Sequence, residues 1–173
     1  RGNLLVAQSG GPTAVINASL LGVVEEARRH DAIERVLGAR FGLVGLANNN
    51  LVDLSAEDAE RLRLVGRSPA AALGSCRLRF TPSIAASVFG VLAQHNIRFL
   101  LYIGGNDSAE TAHGIQMLAD GNNYEMRCIG VPKTIDNDLA WITRPAMAAS
   151  LAMSPLPPKT APTTPLPSPP PIR

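Results

Sequence analysis

The sequence predicts an α/β fold, a three-layer arrangement in which helices cover both faces of a parallel sheet. Two observations predict it. Short apolar runs of strand length alternate with longer helical stretches along most of the chain. Strands that are separated by helices pair in parallel, and their helices pack on the two faces of the sheet. With 173 residues, 46% of them hydrophobic, the chain has the length and composition of one ordinary globular domain.

The first half of the chain alternates strand and helix. Its second helix is bounded at both ends, because Ser55 and Asp58 have the spacing of a capping box and Gly66 is placed to end the helix. In order, the predicted elements are the strand NLLVAQ (3–8), the helix TAVINASLLGVVEEARRH (13–30), the strand ERVLGARFG (34–42) and the helix SAEDAERLRLVG (55–66).

The second half repeats the alternation. Its first helix is predicted to begin with Thr81 as the N-cap and Pro82 at the first helical position, where the missing N–H of proline costs nothing. In order, the predicted elements are the helix TPSIAASVFGVLAQHN (81–96), the strand IRFLLYIGG (97–105), the helix SAETAHGIQML (108–118) and the strand EMRCIGVP (125–132).

Charge and composition exclude several classes of function. The net charge of +2 is too small to indicate a nucleic acid or an anionic membrane as the partner. No apolar stretch approaches the ~20 residues of a membrane span. Cys76 and Cys128 suggest no disulfide framework, so a reducing, cytoplasmic location is expected. The start lacks a signal-peptide pattern and a methionine, which is consistent with trimming or with a fragment.

Two strand-to-helix turns carry glycine pairs at the edge where open α/β sheets bind ligands. At Gly10-Gly11, backbone N–H groups can approach a phosphate with no Cβ in the way, although a glycine pair alone favours a plain tight turn. Gly104-Gly105 repeats the arrangement and is followed by the polar run 106–108. The competing interpretation there is a helix N-cap, which needs no ligand.

A third turn, PKTIDND at 132–138, is poorly explained by capping. Lys133 lies three residues before Asp136, and Asp138 follows two residues later. An aspartate beside a lysine can be held ionised and ready to take a proton. A second carboxylate two residues on can help to hold Mg²⁺, which neutralises phosphate oxygens.

Together these turns resemble the phosphofructokinase family. The matching pieces are SGGPTAVINA, LGSCR, YIGGNDSAETA and GVPKTIDNDL, in family order, and they cover essentially all of residues 3–139. Each piece alone is weak, but the ordered set is specific. The resemblance implies the N-terminal, Rossmann-like domain of that family, incomplete because a full member has a further part of the sheet and a second domain.

The resemblance also implies roles for individual residues. Arg77 matches an arginine that touches the phosphates of the phosphoryl donor, and Gly10 would lie at that donor. Asp136 matches the base that accepts the proton of the sugar's 1-hydroxyl. The segment that contacts fructose 6-phosphate matches Thr134, Ile135 and Asp136. The full set of expected donor-binding residues is Gly10, Gly11, Arg77, Gly105 and Ser108, and the expected catalytic residues are Asp136, Lys133 and Asp107.

Two positions indicate the donor. Family members that use ATP carry glycine where this chain has Asp107 and Lys133, and in the family that pair marks users of pyrophosphate. A carboxylate at 107 crowds and repels the place of a nucleotide's α-phosphate, while Lys133 adds charge suited to the transferred group. The expected ligands of Mg²⁺ are Asn106 and Asp138, although Asn106 replaces the usual aspartate and brings no negative charge.

The composition changes abruptly near the end. All 14 Asp and Glu fall in residues 1–138, whereas 10 of the 14 prolines fall in 145–173. A real proline-rich linker is one explanation. However, codons shifted by one base across this segment permit D-H-T-P-G-Y-G-S-x-A-R-Y-V-A, close to the family's continuation. We therefore expect a donor-binding domain over 1–139 and a disordered, frameshifted tail over 140–173.

The resemblance thus implies the N-terminal part of a phosphofructokinase of the pyrophosphate-dependent type, with Mg²⁺ as cofactor and pyrophosphate and fructose 6-phosphate as substrates. No nucleic acid or membrane partner is expected, and the full-length protein is expected to be a homo-oligomer. Two alternatives stay open. One is an ATP-dependent 6-phosphofructokinase, and the other is a non-catalytic fragment that binds phosphate weakly or does not fold stably.

Overall fold

The structure is a computed structural model, and it describes residues 1–133. In this part of the chain, strands and helices follow one another from a first strand at the N-terminus. They are β1 (Gly2–Gln8), α1 (Ile16–Ala27), β2 (Ile33–Ala39), α2 (Leu43–Ala47), β3 (Leu51–Asp53), α3 (Ala59–Arg67), α4 (Pro82–Gln94), β4 (Ile97–Gly104), α5 (Asn106–Gly121) and β5 (Arg127–Pro132).

The described strands form one five-stranded sheet in the order β3-β2-β1-β4-β5. The strands β2, β1, β4 and β5 pair with one another in parallel. The chain leaves β1 toward β2 on one side and later returns to pair β4 on the other. The gap between the ends of β1 and β4 is therefore a topological switch point, the place where open α/β sheets form a ligand crevice.

Helices cover both faces of the sheet, which confirms the predicted three layers. Side chains alternate across β1, so that Leu4 and Val6 pack with α1 and α3 on one face. On the other face, Leu5 and Ala7 pack with α2, α4 and α5. All seven residues of β1 are buried, because this strand lies in the middle of the sheet with a helical layer on each side.

The sheet is parallel as predicted except at β3, a short strand that was not predicted from the sequence, which pairs antiparallel with β2. The connection over residues 40–50 contains only the short helix α2, and a parallel crossover needs a dozen or more residues. Asn49 has a positive φ of 55° and helps to reverse the chain, while the N–H of Arg40 donates to the carbonyl of Asn50. The chain therefore turns back and runs antiparallel beside β2, and it does not cross a face of the sheet to form a parallel strand.

The capping box predicted from Ser55 is also wrong. The N-cap of α3 is Asp58, whose carboxylate accepts hydrogen bonds from the N–H groups of Glu60 and Arg61. The bond from Arg61 is the largest cause of the lowered pKa of Asp58. The hydroxyl of Ser55 instead accepts a hydrogen bond from the N–H of Val36 at 2.6 Å, so it holds the chain against β2.

The start of α4 agrees with its prediction, whereas the start of α5 does not match the N-cap interpretation. Thr81 is the N-cap residue of α4 and Pro82 occupies its first turn, although the Thr81 hydroxyl pairs with Ser83 and caps no backbone N–H. The N-cap of α5 is Gly105. Asp107 and Ser108 therefore lie inside the first turn, where their side chains do not act as caps.

Candidate active site

A cleft of about 350 Å³ opens at the switch point, where β1 and β4 end. Three segments form it: the turn after β1, the loop that precedes α4, and the first turn of α5. Its floor is completed by the residue that follows β5. The lining residues are Ser9, Gly10, Gly11, Cys76, Arg77, Leu78, Arg79, Gly105, Asn106, Asp107, Ser108, Thr111 and Lys133.

The turn after β1 requires glycine at position 10. Gly10 has a φ of +76°, and a Cβ there would lie 3.1 Å from Cε of Lys133. The turn is tied to the loop before α4, because the N–H of Gly10 and the hydroxyl of Ser9 both donate to the carbonyl of Cys76. The Ser75 hydroxyl in turn donates to the carbonyl of Gly10. These hydrogen bonds hold the turn after β1 and the loop before α4 together as one unit.

The first turn of α5 brings its helix N-terminus to the cleft. Ser108 is buried, and a Cβ on Gly104 would overlap its side chain, so this strand-to-helix turn closes only with glycine at 104. The first turn of a helix carries N–H groups without helical partners and the positive end of the helix dipole. A helix of 16 residues therefore presents an anion-binding end to the cleft.

Lys133 lies at the floor of the cleft and is only 7% exposed. Its N–H donates to the carbonyl of Gly104 at 3.1 Å, which fixes the backbone beside the end of β4. Its amine lies beside Gly10, since Nζ is 3.4 Å from the position of a Cβ there. Within residues 1–133 no carboxylate forms an ion pair with this amine, so its charge is directed at the cleft.

Among residues 1–133, the charged side chains that line the cleft are three cations and one anion. The cations are Arg77, Arg79 and Lys133, and the anion is Asp107. Asp107 forms an ion pair with Arg79, with 3.6 Å between the carboxylate and the guanidinium. The remaining positive charge and the end of α5 together make a site for an anion with more than one phosphate.

Two buried side-chain amides form a hydrogen-bond network next to the cleft. The side-chain amide of Gln8 donates to the carbonyl of Ile16 and to Oδ1 of Asn17, and its own oxygen accepts the N–H of Leu73 at 2.9 Å. Asn17 accepts the N–H of Ala72 at 2.8 Å. This network joins the end of β1 and the start of α1 to the loop that continues to Arg77.

We expect Asn17→Ala to lower the free energy of unfolding by about 1–3 kcal/mol, because it removes the oxygen that accepts from the buried Gln8 amide and from the N–H of Ala72. Urea denaturation of the chain measures this change. Asn48→Ala is the matched control, since the Asn48 amide donates to the carbonyl of Val44 on the exposed surface. Equal losses in the two variants would show that the Asn17 network carries no special stability.

Two titratable side chains near the cleft have raised pKa values because they are buried. Burial raises the pKa of Tyr102 above its usual range, and the neighbouring Cys76 adds to this shift. On β5, burial raises the pKa of Cys128 to about 12, with Asp120 as the second cause. Both groups stay neutral near pH 7, so the ionic character of the cleft comes from its arginines, Lys133 and Asp107.

Two side chains at the cleft offer oxygen atoms of the kind that Mg²⁺ takes as ligands. Asn106 and Asp107 supply oxygen donors at the cleft, and Mg²⁺ prefers oxygen ligands. In residues 1–133 no group of three His, Cys, Asp or Glu side chains is arranged to hold a metal by itself.

The structure brings most of the expected site residues into the one cleft, while their roles stay predictions. Those in the cleft are Gly10, Gly11, Arg77, Gly105, Asn106, Asp107, Ser108 and Lys133. Thr134, Ile135, Asp136 and Asp138 lie outside the described residues. Sequence reasoning missed Arg79, although a second arginine two positions after Arg77 was a visible signal. It also missed Gln8 and Asn17, whose pairing no local pattern indicates.

Comparison with known proteins agrees with this geometry. The family model described as Phosphofructokinase matches residues 3–144, more than half of the chain. The chain belongs to the phosphofructokinase family. The resemblance predicted from the four ordered motifs is therefore confirmed. The predicted boundary at residue 139 and the tail over 140–173 lie outside the described residues and stay predictions.

The relatives include users of pyrophosphate and of ATP. A pyrophosphate–fructose 6-phosphate 1-phosphotransferase of Xanthomonas campestris pv. campestris (strain B100) is 46% identical over 144 residues, 80% of this chain and 34% of that protein. An ATP-dependent 6-phosphofructokinase of Haemophilus influenzae (strain PittEE) is 34% identical over 139 residues, 79% of this chain and 40% of that protein.

A solved phosphofructokinase has the same fold. The crystal structure of a pyrophosphate-dependent phosphofructokinase from Marinobacter aquaeolei matches with a TM-score of 0.75 at 42% identity, over 82% of this chain and 36% of that one. The chain spans about a third of the length of this protein and of the Xanthomonas relative. In the part of this chain that the structure describes, no helix is both long and apolar enough to cross a membrane.

Proposed function

We propose that this chain is the donor-binding part of a pyrophosphate–fructose 6-phosphate 1-phosphotransferase. The enzyme transfers a phosphoryl group from pyrophosphate to the 1-hydroxyl of fructose 6-phosphate and yields fructose 1,6-bisphosphate and phosphate. The observation that carries the proposal is the presence of Asp107 and Lys133 in one cleft, beside a helix N-terminus. The names of the more similar relatives support the same donor.

The cleft residues have distinct parts in this reaction. Arg77 and the first turn of α5 bind the pyrophosphate oxygens, and Lys133 stabilises the charge that develops on the transferred group. Asp136 accepts the proton of the 1-hydroxyl as its oxygen forms the new bond to phosphorus. The bridging P–O bond breaks, and the second phosphate of the donor leaves with that electron pair.

Mg²⁺ is the proposed cofactor, with Asn106 and Asp138 as its expected protein ligands. When bound, it would neutralise phosphate oxygens of the donor. Asn106 contributes an amide oxygen without charge, so the protein's negative charge at the metal depends on the aspartates. Thr134 and Ile135 are proposed to contact fructose 6-phosphate together with Asp136. A cytoplasmic location and a homo-oligomeric full-length protein complete the proposal.

The donor is the most direct test, in a full-length protein whose reading frame is restored after Leu139. We expect pyrophosphate to support phosphorylation of fructose 6-phosphate and ATP to support none. Asp107→Gly removes the carboxylate at the cleft mouth, so it should give measurable turnover with ATP. Coupled assays with each donor measure both results, with Asp31→Asn as the control, because Asp31 is exposed and lies outside the cleft.

Two outcomes would favour the alternatives. Efficient turnover with ATP and none with pyrophosphate would identify an ATP-dependent 6-phosphofructokinase and leave Asp107 and Lys133 without a function. A full-length protein inactive with both donors would favour a non-catalytic phosphate-binding protein. The 173-residue chain alone is expected to be inactive, because it spans only about a third of its relatives.

A further inference from the structure

Arg79 is a cleft residue to which the proposed reaction assigns no role. Its guanidinium lies 3.6 Å from the carboxylate of Asp107, so the ion pair crosses from the loop before α4 to the first turn of α5. Both side chains line the cleft, and both are well exposed, at 71% and 75%. A donor entering the cleft therefore meets this pair in solvent.

The loop that carries Arg79 is fixed at both ends. At one end the carbonyl of Cys76 accepts hydrogen bonds from the turn after β1. At the other end the ring of Phe80 packs on Gly114 of α5, where an added Cβ would lie 2.7 Å from it. Between these anchors, the Arg79–Asp107 ion pair is the salt bridge that ties the loop to α5 within residues 1–133.

The ion pair resolves an electrostatic conflict within the proposed function. Pyrophosphate is a multiply charged anion, and a lone carboxylate at 107 would repel it as it repels a nucleotide. We propose that Arg79 is a positioning residue that neutralises and holds Asp107, so that Asp107 blocks longer donors without weakening the binding of pyrophosphate. This inference rests on the proposed function, because it presumes that pyrophosphate is the donor.

A double-mutant cycle on the full-length protein tests the inference. We expect Arg79→Gln to raise KM for pyrophosphate roughly 5-fold with little change in kcat, the scale of a solvent-exposed charge pair. The increase in KM should be larger at low salt, because salt screens the repulsion between the unpaired Asp107 carboxylate and pyrophosphate. Arg79→Lys should restore most of the affinity. In an Asp107→Asn background, Arg79→Gln should change KM by less than about twofold, since its partner is gone.

Arg61→Gln is the matched control. Arg61 forms an ion pair with Glu57 at 3.5 Å and is as exposed as Arg79, but it lies outside the cleft. The loss of Arg61 should leave KM for pyrophosphate unchanged. An equal rise of KM in both Asp107 backgrounds would overturn the inference, because Arg79 would then bind pyrophosphate directly. An unchanged KM in Arg79→Gln would overturn it too. Failure of the proposed function is separate, since the unsubstituted protein would then not use pyrophosphate.

Discussion

Replacing Asp136 by asparagine in the full-length protein is expected to lower kcat roughly 10²–10⁴-fold, the usual cost of losing a positioned general base. Asparagine keeps the size of the side chain but does not accept the proton of the 1-hydroxyl. The position suits the role, because Asp136 follows Lys133 by three residues and three residues of chain span at most about 11 Å. KM for fructose 6-phosphate should change far less than kcat.

The pH dependence of kcat separates this role from a structural one. A general base acts only when it is deprotonated, so kcat of the unsubstituted protein should fall toward acid pH. In Asp136→Asn that fall should disappear, because no carboxylate at 136 is left to protonate. Asp31→Asn, an exposed substitution outside the cleft, should keep both the rate and the profile. Near-normal kcat in Asp136→Asn would remove Asp136 from the catalytic residues.

The sequence predicted those parts of the fold that depend on residues close together in the chain. The ten-residue stretch from Ser9 predicts its own turn, because Gly10 takes a positive φ and α1 begins six residues later. The turn before α5 is similar, since Gly104 permits the close approach of Ser108. Parallel strands end at one edge of the sheet, so predicting the two turns also predicted one shared cleft.

The parts that sequence did not predict have distant causes. Ser55 has the spacing of a capping box, yet its hydroxyl accepts a bond from Val36, a residue 19 positions earlier. Asn17 reaches the N–H of Ala72, 55 positions later. The partner of Arg79 depends on the path of an irregular loop over the cleft. Each of these depends on tertiary packing, which overrides local propensity and spacing.

Among the described residues, Lys133 gives the strongest indication of which kind of ligand the cleft binds, because its amine is buried. A lysine is seldom fully buried without a partner, because removing an ammonium from water is costly. Here the Gly10 turn contacts the side chain, and its amine faces a cleft built for an anion. Within residues 1–133 no carboxylate pairs with this amine, so we expect a negatively charged ligand to complete the site.

Lys133→Met keeps the length of the side chain and removes its charge. We expect kcat with pyrophosphate to fall roughly 10²–10³-fold, a loss of about 2.7–4 kcal/mol of transition-state stabilisation, with no gain for ATP. Equilibrium binding of pyrophosphate should weaken less than kcat falls, because the charge on the transferred group develops during transfer. The fold should be preserved, since methionine at a buried position removes a desolvated charge.

Arg127→Met is the control for Lys133→Met, because it removes a cation from the exposed start of β5, the strand that Lys133 follows. It should leave both donors' rates unchanged, and the Tm of the two variants should be similar. Lys133→Arg should recover only part of the rate, because the wider guanidinium must fit at a buried position beside the Gly10 turn. If Lys133→Met instead turned over pyrophosphate at a near-normal rate with an unchanged Tm, the amine would not act on the transferred group. The preference for pyrophosphate would then depend on Asp107 and Arg79 alone.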